Sequence, residues 1–415
     1  MNKEKILIVR INNEFIGWLS QNEVGKIEFD YQDACKRILS LSLPLTQKHF
    51  TEKQSHAYFE GLLPESEDVR KAVAQKFGVN HNNFFSLLKV IGYDCAGAVS
   101  FHPYEANPQN LPCEFKEVNG KIFSEEELYN YIKELPKKPL FTSYEGLRLS
   151  LAGAQEKTAI ICLNGEIGIP DFDVPTTHIL KPAMKDYEES VENEFICMTT
   201  AKNLGLAVSN TSIGQVKDIK YLLVERYDRH IENNKIKRIH QEDFCQCLNI
   251  PSRDKYQCEG GVSTKNCYEI IRKTDRPILN IQELTKRIIF NYLIGNADAH
   301  GKNFSILHLD NGGIEFAPAY DILCTQVYPE LIKNMAMKIG GCYEPDRIFP
   351  KNWEIFAQEA DINYTGLRHE IIEMAQKLPA ELEIVVKSFK NTIGNKILAI
   401  VKENCERTLR RFEEV

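Results

Sequence analysis

Two residues that could act on a phosphoryl group lie close together in the second half of the chain. Asp298 and Asn303 are separated by four residues, in a segment with glycines at 295 and 301. Catalytic loops for phosphoryl transfer have this spacing, and in them the Asp accepts the proton of the attacking hydroxyl while the Asn binds Mg²⁺. Glycines give a loop the backbone freedom to point both side chains at one reacting group. The pattern predicts such a site, and its alternative is a capped turn after a helix predicted over Ile288–Ile294.

A second acidic residue, Asp321, follows a predicted hairpin. Strands are predicted over 304–309 and 314–317, with a turn at 310–313. Protein kinases also place the Asp that binds the metal some distance after the catalytic loop. Asn303 and Asp321 offer the hard oxygen ligands that Mg²⁺ prefers, with water and ATP phosphates filling the other positions. A helix cap or an ion pair is the alternative for Asp321, and the order of the three residues favours catalysis.

Candidate nucleotide contacts lie upstream of this segment. The sequence has no Gly-x-x-x-x-Gly-Lys-Ser/Thr motif, which disfavours a P-loop NTPase. A turn of small residues at 150–157 precedes a predicted strand, and the backbone N–H groups of such a turn can approach phosphates. Lys181, at the end of another predicted strand, is the candidate for the lysine that pairs with the α- and β-phosphates, with Glu194 as its carboxylate partner. A tight turn and solvated charges are the alternatives.

The elements that must position these residues change character along the chain. Strands are predicted over 6–11 and 14–19, joined by a two-residue hairpin turn at Asn12-Asn13, and over 26–31. Helices are predicted over 67–77 and 84–91, and from a capping box at Ser124 and Glu127 to Leu135. Pro136 and Pro139 indicate a boundary. Strands then return over 158–163, 167–169, 177–181 and 221–226, around a helix over 189–204, and the chain beyond Gln241 is predicted to be mainly helical. This order favours an α+β chain in two lobes.

Composition excludes several classes of protein. The chain has 415 residues, 43% of them hydrophobic, and a net charge of −7, which disfavours broad nucleic-acid binding through its own phosphate contacts. Its 12 cysteines are scattered without zinc-finger spacing, so reduced thiols in a cytoplasmic protein are expected. The apolar stretch Ile6–Val9 is too short for a signal peptide, and no run approaches the length that spans a membrane.

At these residues the sequence resembles the HipA family of toxin kinases. The matching stretches are Leu-Ala-Gly-Ala-Gln-Glu-Lys-Thr at 151–158, Thr-His-Ile-Leu-Lys at 177–181, Val-Glu-Arg-Tyr-Asp-Arg at 224–229, Gln-Glu-Asp at 241–243, Gly-Asn-Ala-Asp-Ala-His-Gly-Lys-Asn-Phe-Ser at 295–305 and Ala-Tyr-Asp at 319–321. Stretches at 41–45, 59–65 and 91–99 match as well. The resemblance therefore runs nearly from end to end.

The resemblance implies an α+β, bilobal, protein-kinase-like fold with an extra N-terminal β-rich subdomain and a mainly helical C-terminal lobe. On this basis we expect the N-terminal subdomain over residues 1–140 and an ATP-binding region, similar to the kinase N-lobe, over 141–235. The mainly helical catalytic lobe is then expected over 236–415.

The resemblance also implies roles for individual residues. Asp298 is implied to be the catalytic Asp, Asn303 and Asp321 the Mg²⁺ ligands, and Ser150 the autophosphorylation site. The implied ATP-binding residues are Ala152, Gly153, Ala154, Gln155, Glu156, Lys157, Lys181, Glu225, Tyr227, His300, Lys302 and Tyr320. Tyr227 stands where the family usually has Phe, a change that keeps an aromatic ring over the purine.

Partners and activity are expectations of the same kind. The resemblance implies a serine/threonine protein kinase that uses ATP and Mg²⁺, with a helix-turn-helix, HipB-like antitoxin and a protein substrate; family substrates include an aminoacyl-tRNA synthetase. DNA contact is expected only through the antitoxin, and no membrane contact is expected. A small-molecule kinase and a catalytically silent antitoxin-binding module are the alternatives. The silent module has no need for Lys181, Asp298, Asn303 and Asp321 together.

Overall fold

The N-terminal region is a five-stranded antiparallel sheet packed against three helices. The computed structural model describes residues 5–105, 108–109, 116–135, 156–171, 174–389 and 392–414. The first elements are β1 (Ile6–Ile11), β2 (Glu14–Gln21), β3 (Ile27–Tyr31), β4 (His49–Thr51), α1 (Glu52–Glu60), α2 (Glu67–Phe77), α3 (Phe84–Ile91) and β5 (Val99–Pro103), with the strands in the order β4-β3-β2-β1-β5. Asn12, at a φ of 53°, makes the predicted hairpin turn, and Ile11 lies opposite Glu14.

A six-stranded antiparallel sheet follows. The next elements are β6 (Lys116–Glu117), β7 (Gly120–Ile122), α4 (Glu125–Glu134), β8 (Thr158–Leu163), β9 (Glu166–Pro170), β10 (His178–Pro182), α5 (Ser190–Asn203), β11 (Thr211–Val216), β12 (Ile219–Glu225), β13 (Arg229–Glu232) and β14 (Lys235–Arg238). The large sheet has the order β11-β12-β10-β8-β9-β7, and β13-β14-β6 form a small one. The predicted capping box of Ser124 and Glu127 is confirmed at the start of α4.

The two large sheets share one hydrophobic core. Phe29, Phe59 and Phe101 from the N-terminal region are fully buried in the same cluster as Ile160 of β8 and Leu180 of β10. Burial of such side chains contributes roughly 1.5–3 kcal/mol each, so the sheets stabilise one another. The N-terminal region is therefore held rigidly beside the sheet that carries Lys181.

The rest of the described chain is mainly helical and has a second core. Its elements are β15 (His240–Asp243), α6 (Phe244–Cys247), α7 (Thr264–Ile271), α8 (Pro277–Ile294), β16 (Ser305–His308), β17 (Ile314–Phe316), α9 (Pro350–Ala360), α10 (Tyr364–Ser388) and α11 (Thr392–Glu413). Trp353 and Phe356 of α9 and Phe290 of α8 are fully buried there. Among the described residues, no helix is long and apolar enough to cross a membrane.

A buried group of charged residues connects the N-terminal region to the chain just after β12. Asp94 accepts a hydrogen bond from Arg229 at 2.7 Å, and Asp228 accepts two from Arg226 at 2.8 and 3.0 Å. The Gly97 N–H donates to Asp228 at 2.7 Å, and Arg229 donates back to the Gly97 carbonyl at 2.8 Å. We call Asp94, Gly97, Arg226, Asp228 and Arg229 the charged clamp. Each of its four charged side chains is less than 10% exposed.

Removing one carboxylate of the charged clamp should lower the free energy of unfolding. We expect Asp94→Ala to destabilise the fold by about 3–5 kcal/mol, because the arginines remain buried with one carboxylate fewer. The matched control is Asp310→Ala, since Asp310 pairs with Arg37 at 3.0 Å and with Lys237 but is 45% exposed, and its loss should cost no more than about 1 kcal/mol. Urea unfolding followed by circular dichroism measures both, and equal effects would contradict the expectation.

The effect of Asp94→Ala should also depend on pH. Burial alone would raise the pKa of Asp94, but Arg229 and Arg226 lower it below its ordinary value. A lowered pKa in the folded state means that the ionised carboxylate stabilises the fold above about pH 4. That contribution is lost as the pH falls further, so the difference between parent and variant should shrink in acid.

Candidate active site

A cavity of about 870 Å³ contains most of the residues predicted to act together. Its size lies within the range of about 300–1,000 Å³ that is typical of small-molecule sites. The predicted residues that line it are Lys157, Lys181, Glu194, Glu225, Tyr227, Asp298, His300, Lys302, Asn303, Tyr320 and Asp321. Glu156 is exposed and does not belong to this lining. Ser150, Ala152, Gly153, Ala154 and Gln155 lie outside the described residues.

Lys181 connects the six-stranded sheet to two acidic residues of the cavity. It lies on β10 and is 3% exposed, and its Nζ donates to Glu194 Oε1 of α5 at 2.6 Å and to Asp321 Oδ1. Burial alone would lower the pKa of Lys181, but Asp321 and Glu194 raise it above its ordinary value. The structure thus brings the predicted lysine and carboxylate together and adds Asp321, 140 residues further along the chain, to the same contact.

Asp321 has an unusual backbone conformation. Its φ is 54°, in the left-handed region, which Asp and Asn enter more readily than other residues that have a side chain. Burial alone would raise the pKa of its carboxyl, but Lys181 and then Lys157 lower it below its ordinary value. Asp321 is therefore ionised at neutral pH, and its side chain is held at a fixed place in the cavity.

The segment from 295 to 303 begins where α8 ends. Gly295 ends the helix at a φ of 79°, as is common for a glycine after a helix. Gly301 has no room for a side chain, because an added Cβ would lie 2.3 Å from Val262. The Asn303 amide nitrogen donates to the Asp298 carbonyl at 2.9 Å. Its amide oxygen is therefore directed away from that carbonyl and is the atom available to a cation.

The Asp298 carboxylate has a tyrosine as its partner. The Tyr256 hydroxyl donates to Asp298 Oδ1 at 2.6 Å. Burial raises the pKa of the Asp298 carboxyl above its ordinary value, whereas the hydrogen bond from Tyr256 and the charge of Lys255 lower it in part. Asp298 nevertheless keeps 45% of its side chain exposed, so an incoming hydroxyl can reach it.

Lys302 is bound to other parts of the protein rather than left free in the cavity. It is 7% exposed, and its Nζ lies 3.3 Å from Asp243, 3.6 Å from Glu65 and 3.1 Å from the Ser252 hydroxyl. Glu65 follows α1 in the N-terminal region, so this lysine connects that region to the segment that carries Asp298. Its predicted contact with ATP stays a prediction.

Two tyrosines lie ring against ring in the lining of the cavity. The Tyr227 and Tyr320 centroids are 5.6 Å apart with an interplanar angle of 27°. The Tyr320 hydroxyl also donates to the Lys302 carbonyl at 2.7 Å. Glu225 is exposed beside them, and its carboxylate accepts a hydrogen bond from Asn210 at 2.7 Å. This arrangement offers flat aromatic surface and backbone groups near one another, as a purine requires.

His300 and Lys157 add two further groups to the cavity. Burial lowers the pKa of His300 to about 3, with help from Lys255 and Lys302, so its imidazole is neutral. Among the described residues, its buried Nδ1 has no hydrogen-bond partner. Burial also lowers the pKa of Lys157, although Asp321 opposes this shift.

Three residues around the predicted ones are not indicated by the sequence pattern. Tyr256 donates to Asp298, the Lys255 ammonium lies 2.8 Å from Glu65, and Glu65 approaches Lys302. Glu65 lies in one of the stretches that resemble the family, but the resemblance assigned no role to this residue. Nothing in spacing or composition distinguishes Tyr256 from the other 16 tyrosines of the chain.

The donor set fits a magnesium ion bound together with nucleotide phosphates. The amide oxygen of Asn303 and the ionised carboxylate of Asp321 are hard oxygen ligands. Within the described ranges, no group of three or more His, Cys, Asp or Glu could hold a metal on its own. Two protein oxygens completed by water and phosphate are a usual arrangement for Mg²⁺.

The described fold, with a lysine-bearing sheet over a mainly helical lobe, is bilobal and protein-kinase-like. Residues 149–382 match the family model for the HipA-like C-terminal domain, and residues 7–102 match the HipA N-terminal domain. The chain belongs to the HipA family. The predicted α+β, kinase-like fold with an N-terminal β-rich region and a helical C-terminal lobe is confirmed.

Named relatives and a solved structure agree with this membership. A protein of Sinorhizobium fredii named "Putative kinase Y4mE" is 38% identical over 382 residues, 89% of each chain. The serine/threonine-protein kinase toxin HipA of Shewanella oneidensis is 30% identical over 361 residues, 84% of this chain and 81% of that one. A solved structure of Shewanella oneidensis HipA with HipB and operator DNA matches with a TM-score of 0.85 and 28% identity, over 99% of both chains.

Proposed function

We propose that this chain is an ATP- and Mg²⁺-dependent serine/threonine protein kinase of the HipA toxin type. The observation that carries this function is the meeting of Lys181, Glu194 and Asp321 in the same cavity as Asp298 and Asn303. A lysine held by a helix carboxylate, a metal-binding Asp and an Asp–Asn catalytic loop are the parts that kinases use.

Each residue has one role in the proposed reaction. Lys181 and Lys157 bind the phosphates of ATP, and Glu194 keeps Lys181 in place. The acceptor hydroxyl oxygen forms a bond to the γ-phosphorus as the bond to the β–γ bridging oxygen breaks and ADP leaves. Asp298 takes the hydroxyl proton. Mg²⁺, held by Asn303 and Asp321, would neutralise the charge of the phosphates.

A labelling experiment tests the function directly. The purified chain is incubated with γ-³²P-ATP, Mg²⁺ and a cell lysate, and the label is followed into protein and into small molecules. We expect a labelled protein with phosphoserine or phosphothreonine. Label in a metabolite instead would indicate a small-molecule kinase, and label in neither would indicate a module that only binds a partner.

We extend the proposal to partners of the HipA type. Support comes from the Shewanella oneidensis HipA structure, which contains HipB and operator DNA and matches this chain over 99% of its length. The net charge of −7 favours DNA contact through a helix-turn-helix antitoxin rather than through this chain. An aminoacyl-tRNA synthetase is the protein substrate to test first.

Ser150 is the proposed site of autophosphorylation and a switch for ATP binding. In the sequence it directly precedes residues 151–157, which are predicted to form a turn of small residues, and a phosphoryl group there adds about −1.5 to −2 charges. We expect mass spectrometry to find phosphate on Ser150 in the parent chain and none in Asp298→Asn. The phosphorylated form should bind ATP much more weakly; unchanged affinity would contradict the switch but not the kinase.

A further inference from the structure

We propose that Tyr256 is a positioning residue for phosphoryl transfer. Its hydroxyl holds one oxygen of the Asp298 carboxylate, so that the other oxygen faces the hydroxyl of the protein substrate. This role rests on the proposed kinase function and adds to it a residue that neither the Asp-x-x-x-x-Asn spacing nor the matching sequence stretches include.

The contact between the two side chains is short and specific. Tyr256 donates to Asp298 Oδ1 at 2.6 Å, within the range for a strong hydrogen bond to a carboxylate. Among the residues that the structure describes, no other side chain forms a hydrogen bond with this carboxylate. Asp298 is 45% exposed and lies on a loop, and its other close polar neighbour is His300 Nε2, 3.9 Å from the same Oδ1. The hydrogen bond from Tyr256 is therefore the main restraint on the orientation of this carboxylate. A fixed Oδ1 leaves Oδ2 as the oxygen that meets the substrate.

Tyr256 is itself held in place from two sides. Its ring lies edge-on to the His300 ring, with centroids 5.2 Å apart and an interplanar angle of 87°. Its carbonyl accepts hydrogen bonds from the Glu259 and Gly261 N–H groups, both at 2.9 Å. Gly261 packs so closely that an added Cβ would lie 2.3 Å from the Asp254 carbonyl oxygen.

The N-terminal region adds a further support. Lys255, the residue before Tyr256, has its Nζ 2.8 Å from Glu65 Oε2, and each side chain is about 15% exposed. An ion pair that is largely withdrawn from water restrains the backbone on both sides. The position of the Tyr256 hydroxyl is thus set by His300, by its own turn and by the N-terminal region.

Tyr256 keeps its proton during the reaction. Burial and the neighbouring Asp298 carboxylate raise the pKa of its hydroxyl above the ordinary value, so it remains a donor at neutral pH. The proton of the substrate hydroxyl therefore goes to Asp298 Oδ2 while the new oxygen–phosphorus bond forms and ADP leaves. In the proposed role Tyr256 acts through Asp298 rather than on ATP or the transferred group.

Tyr256→Phe is the direct test, since it removes one oxygen and keeps the ring against His300. With γ-³²P-ATP and the acceptor protein that the parent labels, we expect kcat to fall about 10- to 100-fold. The KM for ATP and the KM for the acceptor should stay within about twofold of the parent values. The melting temperature should stay within about 2 °C of the parent value. Tyr364→Phe, the same change in a residue of α10, is the matched control and should leave kcat unchanged.

Any other result for Tyr256→Phe contradicts the proposed positioning role of Tyr256. An unchanged kcat means that the hydrogen bond does not position Asp298. A higher kcat/KM for the acceptor means that the Tyr256 hydroxyl competes for the place of the substrate hydroxyl. A raised KM with a lowered melting temperature means that the tyrosine only supports the fold. If the parent labels no acceptor while both variants are folded, the kinase function itself fails, and the role of Tyr256 with it.

Discussion

Asp298→Asn should abolish phosphoryl transfer while leaving ATP binding largely intact. Asparagine fills nearly the same volume but cannot accept the proton of the incoming hydroxyl. We expect the barrier to rise by about 4 kcal/mol or more, which is about a 1,000-fold loss of rate. ATP affinity should change little, because the phosphates are proposed to contact Lys157 and Lys181 rather than this carboxylate.

The measurement combines single-turnover labelling with an ATP titration of the same preparation. Asp346→Asn is the matched control, because Asp346 is 71% exposed beside Arg407 and lies outside the lining of the cavity. That variant should label the acceptor at the parental rate. Near-normal turnover of Asp298→Asn would show that another group accepts the proton.

Local sequence signals predicted several elements of the fold, whereas the kinase-like arrangement was implied by the family resemblance. The Asn12 turn, the Ser124 capping box and the helix end at Ile294 are confirmed, because each depends on the conformational preference of one or two residues. The helix before Gly295 is longer than predicted. It begins at Pro277, and its first turns carry Ile278 and Leu279 on the surface, which obscures the apolar spacing of a buried helix.

The candidate site was predictable to the extent that its residues follow a fixed order. Lys181, Glu194, Asp298, Asn303 and Asp321 lie in one cavity, as that order implied. The roles assigned to them stay predictions. Order in sequence could not place Asp321 against Lys181, because that contact joins residues 140 positions apart and depends on how the sheet packs on the helical lobe.

Contacts between segments that are distant in the chain could not be predicted from the sequence. Tyr256 and Asp298 are 42 residues apart, and Lys302 and Glu65 lie in different parts of the fold. A lone tyrosine and a lone glutamate have no periodicity that would distinguish them from surface residues. The residues of the charged clamp lie in two stretches that match the family, 91–99 and 224–229, but the hydrogen bonds between these distant stretches could not be predicted from local patterns.

Asp321→Ala should weaken Mg·ATP binding as well as turnover. The variant loses a full negative charge that is proposed to bind the metal, so the triphosphate is less well neutralised. We expect the dissociation constant for Mg·ATP to rise about tenfold or more, which corresponds to about 1.4 kcal/mol. ATP titrations with and without Mg²⁺ measure this, and the gain in affinity that Mg²⁺ gives the parent should be absent.

A second variant separates the loss of charge from a change in backbone. Asp321 sits at a φ of 54°, which alanine tolerates poorly and asparagine tolerates well. Asp321→Asn should therefore keep the backbone and lose only the charge, and it should also lose the Mg²⁺ dependence. If Asp321→Ala binds Mg·ATP weakly but Asp321→Asn binds it as the parent does, the backbone conformation at this position, and not the carboxylate, determines Mg·ATP binding. An unchanged Mg²⁺ dependence in both variants would show that the metal is held elsewhere.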